Sequence, residues 1–65
     1  MNLKRLRKAH TPPINQSELA EQLKVRQSTI AMWESGKSLP RADKLPELAK
    51  ILGCTVDDLL KEDPL

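Results

Sequence analysis

The chain has 65 residues, eleven Lys and Arg against nine Asp and Glu, and a formal net charge of +2. A chain this short makes one small domain, spanning 1–65, and buries only about 60% of its unfolded surface. It contains no apolar run of the ~18 residues that mark a membrane span, no signal-peptide pattern, and a single Cys54 that excludes an internal disulfide, so a cytoplasmic protein is expected.

Aliphatic residues recur at helical spacing, with two glycines and no alternating β-branched runs, so the expected class is all-α with five helices. The first helix covers about 2–9, with Leu3 and Leu6 inward and Lys4, Arg5 and Lys8 in water. Pro12 and Pro13 cannot continue it. Asn15 reads as the N-cap of the second helix, with Glu18 closing a capping box and Ile14 and Leu19 forming a hydrophobic staple. Leu19, Ala20 and Leu23 make its apolar face, and a tight turn over 23–26 leads into a third helix at about 27–35.

Gly36 suits the left-handed position that ends the third helix. After a loop over 37–41, a fourth helix carries Leu45, Leu48, Ala49 and Leu52 on one face. Pro46 fits only its first turn, so Asp43 is the expected cap, and Gly53 the stop. Thr55 and Asp58 form a second capping box, with Cys54 and Leu59 as a staple. Val56, Leu59 and Leu60 are expected to face the core, with a frayed tail over 61–65.

The third helix carries the chemistry. At about 100° per residue, Ile30 and Trp33 share an inward face, while Ser28, Ala31, Met32 and Ser35 share the opposite one. Gln27 leads that outer face. An ordinary solvated face would carry Lys and Glu; this one carries small and hydrogen-bonding groups. Gln can bond adenine N6 and N7 together, Ser is adaptable, and Met or Ala can touch a thymine methyl. An uncharged surface helix without a DNA role fits the same periodicity. Charge is uneven: residues 1–32 hold six cations and two Glu, net +4, while residues 33–65 hold five cations and seven acids, net −2. A basic half of this kind can face phosphates.

The pattern Gln16, Leu19-Ala20, Leu23, Val25, Ile30, Trp33-Glu34, Gly36 and Pro40, followed by Leu48-Ala49, Leu52-Gly53 and Leu59-Leu60, resembles the Cro/C1-type helix-turn-helix family of phage repressors and bacterial regulators. The resemblance covers nearly the whole chain, and its specificity lies in the joint spacing. It implies a compact, five-helix, lambda-repressor-like fold with the helix-turn-helix at about 15–35. It also implies sequence-specific binding of double-stranded DNA. Gln27, Ser28 and Met32 match the base-reading positions. Gln16, Arg26, Lys37, Ser38 and Arg41 match or flank phosphate contacts. Arg7 and Glu34 match a structural ion pair joining the first and third helices, and Trp33 a core position. Arg26 departs from the usual Ser or Thr cap, because Arg has no side-chain acceptor.

A dimeric repressor on an inverted-repeat operator is the expectation, with Leu39, Leu60 or Leu65 supplying apolar dimer contacts. The alternatives are an antitoxin of a toxin–antitoxin pair, a restriction-system controller, and a protein-interaction module that has lost DNA binding. His10 has no second His or nearby Cys, and no nucleophile set, paired-carboxylate cleft or Gly-rich phosphate loop occurs. Neither an enzyme nor a metal, cofactor, small-molecule or membrane partner is expected.

Overall fold

The computed structural model describes residues 1–61. Five helices follow in chain order: α1 (Leu3–Ala9), α2 (Gln16–Leu23), α3 (Gln27–Ser35), α4 (Lys44–Leu52) and α5 (Val56–Leu60). No strand occurs among the described residues. The expectation of an all-α helix-turn-helix architecture is met.

Local chemistry sets the helix ends. At α2, the Asn15 side chain accepts the Glu18 N–H at 2.8 Å, and the Asn15 N–H donates back to Glu18 at 3.4 Å. At α5, Thr55 accepts the Asp58 N–H at 3.0 Å and donates its own N–H to Asp58 at 3.3 Å. Both capping boxes satisfy N–H groups that a helix start leaves without partners. Helices α2, α3 and α4 end in the same way. One left-handed residue turns the chain, and the next N–H reaches back five residues: Val25 to Ala20, Lys37 to Met32, Cys54 to Ala49. Gly36 and Gly53 take that conformation at φ +83° and +70°. Lys24 takes it at φ +58° after α2, where a Cβ makes it costlier.

The core lies between the helices, where α2 packs closely on α3 and α4 on α5. Leu3, Leu19, Leu23, Ile30, Leu48 and Leu59 are essentially sealed, with Ile14, Ala20, Trp33, Ala49 and Leu52 beside them. Cys54 is half-buried against this cluster. Burial raises its thiol pKa above the ordinary value, and the nearby Asp58 charge adds to the rise.

Three expectations are corrected. Asp43 occupies the position before α4 but makes no side-chain cap bond. Its backbone is helical (φ −69°, ψ −23°), not the extended geometry from which a cap reaches the next turn. Leu60 is 48% exposed. Helix α5 has only five residues, and with Leu59 fully inward its successor is rotated out of the core. Asn2 belongs to the N-cap position rather than to α1, and it is buried. Its amide donates to the Asp58 carbonyl at 2.7 Å, and its N–H donates to the Leu59 carbonyl at 3.1 Å, so the start of α1 is clasped to α5. The expected tail residue of the dimer face, Leu65, lies outside the described residues.

Candidate nucleic-acid interface

The site begins with the inner edge of α3. Ile30 is sealed and Trp33 is buried, so that edge is held against the core. The opposite edge is left outward: Gln27, Ser28 and Ser35 are exposed, Met32 is 40% exposed, and Ala31 is half-buried. No side chain caps α3 at Arg26, whose backbone is extended and whose guanidinium is in solvent. No acidic residue occurs in the first turn of α3, so nothing there opposes an anion.

The start of α2 lies against the start of α3. Gln27 donates from Nε2 to Gln16 Oε1 at 3.4 Å, and the Ser17 hydroxyl donates to Gln27 Oε1 at 3.3 Å. Behind them, Gln16 Nε2 donates to Glu34 Oε1 at 3.0 Å. Glu34 is in turn gripped by Arg7, with Nε at 2.8 Å from Oε2 and Nη2 at 3.2 Å from Oε1. The third arm of the Arg7 guanidinium, Nη1, donates to the Ile14 carbonyl at 3.0 Å. The pair is enclosed, with side chains 10% and 6% exposed for Arg7 and Glu34. Burial favours the neutral carboxyl of Glu34, but hydrogen bonds from Arg7 and Gln16 and the charges of Arg7 and Lys4 outweigh it. The pKa of Glu34 is therefore lowered.

At the other end of α3 the chain folds back. The N–H groups of Lys37 and Ser38 both donate to the Met32 carbonyl, at 3.0 and 3.4 Å. This keeps the 37–38 segment beside the last turn of α3. Lys37 is exposed and Ser38 half-buried. Arg41 is exposed, and its carbonyl accepts the Lys44 N–H at 2.9 Å. Arg26, Lys37 and Arg41 make no ion pair among the described residues. Their charges remain available to a polyanion.

Gln16, Gln27, Glu34 and Arg7 are thus brought into one network. Ser28, Met32, Lys37 and Ser38 share the outer side of α3 and its following loop. Arg26 and Arg41 are exposed and have no side-chain link to the network among the described residues. Sequence reading missed two parts of the site. Ser17 touches Gln27 across ten residues, a contact that no local pattern marks. The Gln16–Glu34 bond joins residues 18 apart and had no local signal.

Among the described residues, no group of three His, Cys, Asp or Glu side chains is arranged to hold a metal ion. No helix there is long and apolar enough to cross a membrane.

The outward face of α3, braced by α2 and backed by a buried ion pair, is the arrangement of a helix-turn-helix domain. The family model described as helix-turn-helix matches residues 3–59, and the chain belongs to this family, in its Cro/C1-type branch. It is similar to the HTH-type transcriptional activator BcrR of Enterococcus faecalis, with 40% identity over 52 residues, covering 80% of this chain and 26% of that protein. It is also similar to the 26 kDa repressor protein of Escherichia phage HK022, with 48% identity over 40 residues, covering 62% of this chain and 17% of that protein. The chain therefore spans about a quarter or less of the length of these relatives. No solved structure matches significantly.

Proposed function

We propose that the chain is a sequence-specific, double-stranded-DNA-binding transcriptional regulator that lays α3 in the major groove. The observation that carries this reading is the uncharged outer edge of α3, where exposed Gln27, Ser28 and Met32 follow one another along the helix. Gln27 and Ser28 read base edges, and Met32 offers an apolar contact to a thymine methyl. Gln16, Arg26, Lys37, Ser38 and Arg41 hold phosphates on either side, which positions the helix without carrying sequence information. Trp33, Arg7 and Glu34 support the reading helix from behind.

The regulator works as a symmetric dimer on an inverted repeat. Half-sites of such operators lie about 34 Å apart. The longest extent of this domain is 28 Å, so one copy covers one half-site. Leu39, 73% exposed, and Leu60, 48% exposed, are apolar groups suited to the contact between copies. The names of the relatives divide between activator and repressor, and here occupancy of a promoter gives repression. No chemistry is required of the protein.

Selection from a random duplex library tests this reading. Enrichment of an inverted repeat is expected. No enrichment at low salt, where electrostatic attraction is strongest, would overturn it and favour a protein-interaction module.

A further inference from the structure

We propose that Glu34 is a positioning residue for base recognition: its carboxylate sets which way the Gln16 amide faces, and through Gln16 the order in which Gln27 presents its donor and acceptor. This rests on the reading of Gln27 as a base-contacting residue.

Hydrogen-bond direction carries the relay. The oxygen and nitrogen of a glutamine amide are nearly alike in shape, so packing alone does not choose between them. An ionised carboxylate only accepts, and a guanidinium only donates. Arg7 occupies both oxygens of Glu34, at 2.8 and 3.2 Å, and keeps the group ionised. Gln16 approaches the same Oε1 at 3.0 Å and must therefore present its NH2. A reversed amide would set oxygen against oxygen at the most enclosed point of the network, where the Glu34 side chain is 6% exposed.

With Gln16 Nε2 committed, its Oε1 faces Gln27 and accepts from Gln27 Nε2. Gln27 Oε1 is then turned toward Ser17, whose hydroxyl donates to it. A hydroxyl rotates to suit its neighbour, so Ser17 follows this order and does not impose it. Only the carboxylate end of the chain has a fixed polarity. Gln27 retains a second N–H and a second lone pair, the donor and acceptor that adenine N7 and N6 require. A flipped Gln27 would offer them in the wrong order at the same place. The two outer bonds are long, at 3.4 and 3.3 Å, and yield more easily than the buried one. Glu34 thus influences the base contact from a position that does not reach the groove.

The test compares the unaltered protein with Glu34→Gln. In DNA-free protein, the side-chain amide 15N–1H resonances of Gln16 and Gln27 are followed. Both are expected to shift, because Gln at position 34 can donate as well as accept. A Gln27 resonance that stays put overturns the relay. For DNA, the probe is a duplex enriched by the unaltered protein, together with its single-base variants. Glu34→Gln is expected to lose about tenfold in discrimination at the base pair that Gln27→Ala relaxes. Instability alone would weaken all duplexes alike, and that pattern, or retained discrimination, overturns the proposal. Gln16→Met leaves the Arg7–Glu34 pair in place and serves if Glu34→Gln folds poorly. It must lose the same discrimination, and keeping it sinks the idea. If Gln27→Ala relaxes no base pair, the base-reading assignment fails, while the resonances still decide the relay.

Discussion

Arg7 and Glu34 stand 27 residues apart in the chain, yet their side chains meet at 2.8 Å behind α3. The pair does more than join α1 to α3. Arg7 also donates to the Ile14 carbonyl, and Glu34 accepts from Gln16, so the residues on either side of the Asn15 cap are fastened to the same pair. Removing one partner leaves the other charge enclosed, which costs about 3–5 kcal/mol. Arg7→Met should therefore consume much of the stability of so small a domain. Adding Glu34→Met should recover a large part of the loss. Urea denaturation of the two single variants and the double variant measures the coupling. A single-variant cost below about 1 kcal/mol, the range of exposed pairs, would show the pair to be effectively solvated.

The same pair makes stability depend on pH. The folded-state pKa of Glu34 lies below its ordinary value of 4.5. The unfolded chain thus binds its proton more readily than the folded one, and stability rises with pH through that range. The contribution is complete above the ordinary value and is lost as pH falls through the lowered one. Asp58 acts with the same sign, its pKa lowered first by the Thr55 backbone N–H and then by the Thr55 hydroxyl. Denaturant midpoints should fall between about pH 6 and pH 3, and less steeply in Glu34→Gln. An equally steep fall in that variant would assign the effect to other carboxylates.

Opposite results are expected at two left-handed positions. Lys24 at φ +58° carries a conformational strain of about 1–2 kcal/mol that glycine lacks. Lys24→Gly should stabilise the domain by up to about 1 kcal/mol, the remainder offset by the greater freedom of glycine in the unfolded chain. Gly36→Ala should destabilise by about 1 kcal/mol or more. A Cβ at Gly36 would meet nothing within 4 Å, so that cost is one of backbone conformation and not of collision. Thermal midpoints should separate by roughly 4–8 °C per kcal/mol for a domain of this size. Destabilisation by Lys24→Gly would mean the lysine side chain contributes more than its strain.

Base reading and phosphate holding differ in signature. Gln27→Ala should relax preference at one base pair per half-site, by about 1–3 kcal/mol of discrimination. Lys37→Ala should weaken all duplexes alike and reduce the salt slope by about 0.9 for each phosphate left without its cation. Binding titrations at several salt concentrations, on the enriched duplex and its variants, separate the two. A uniform loss from Gln27→Ala would reassign that residue to the backbone.

What was legible in the residues was local. Asn15 with Glu18, and Thr55 with Asp58, declare helix starts because a cap is satisfied within three residues. The spacing of Leu19, Ala20 and Leu23, and of Ile30 and Trp33, declares inner faces because a helix repeats every 3.6 residues or so. The outer face of α3 followed from the inner one. Asp43 misled because the residue type suits a cap while the backbone there is already helical. Leu60 misled because Leu59 takes the inward face of the short α5, and the next residue is rotated about 100° away from it.

Helix boundaries, core faces and the candidate reading edge of α3 were therefore determined by the chain's own order, since each depends on neighbours a turn or less away. The clasp of Asn2 onto α5, the Gln16–Glu34 bond and the reach of Lys44 to the Leu23 carbonyl were decided only by tertiary structure. These bonds join residues far apart in sequence. A hydrogen bond requires its two groups within about 3 Å and correctly aimed. Periodicity sets which way a side chain leaves its helix, but packing of whole helices sets what it meets.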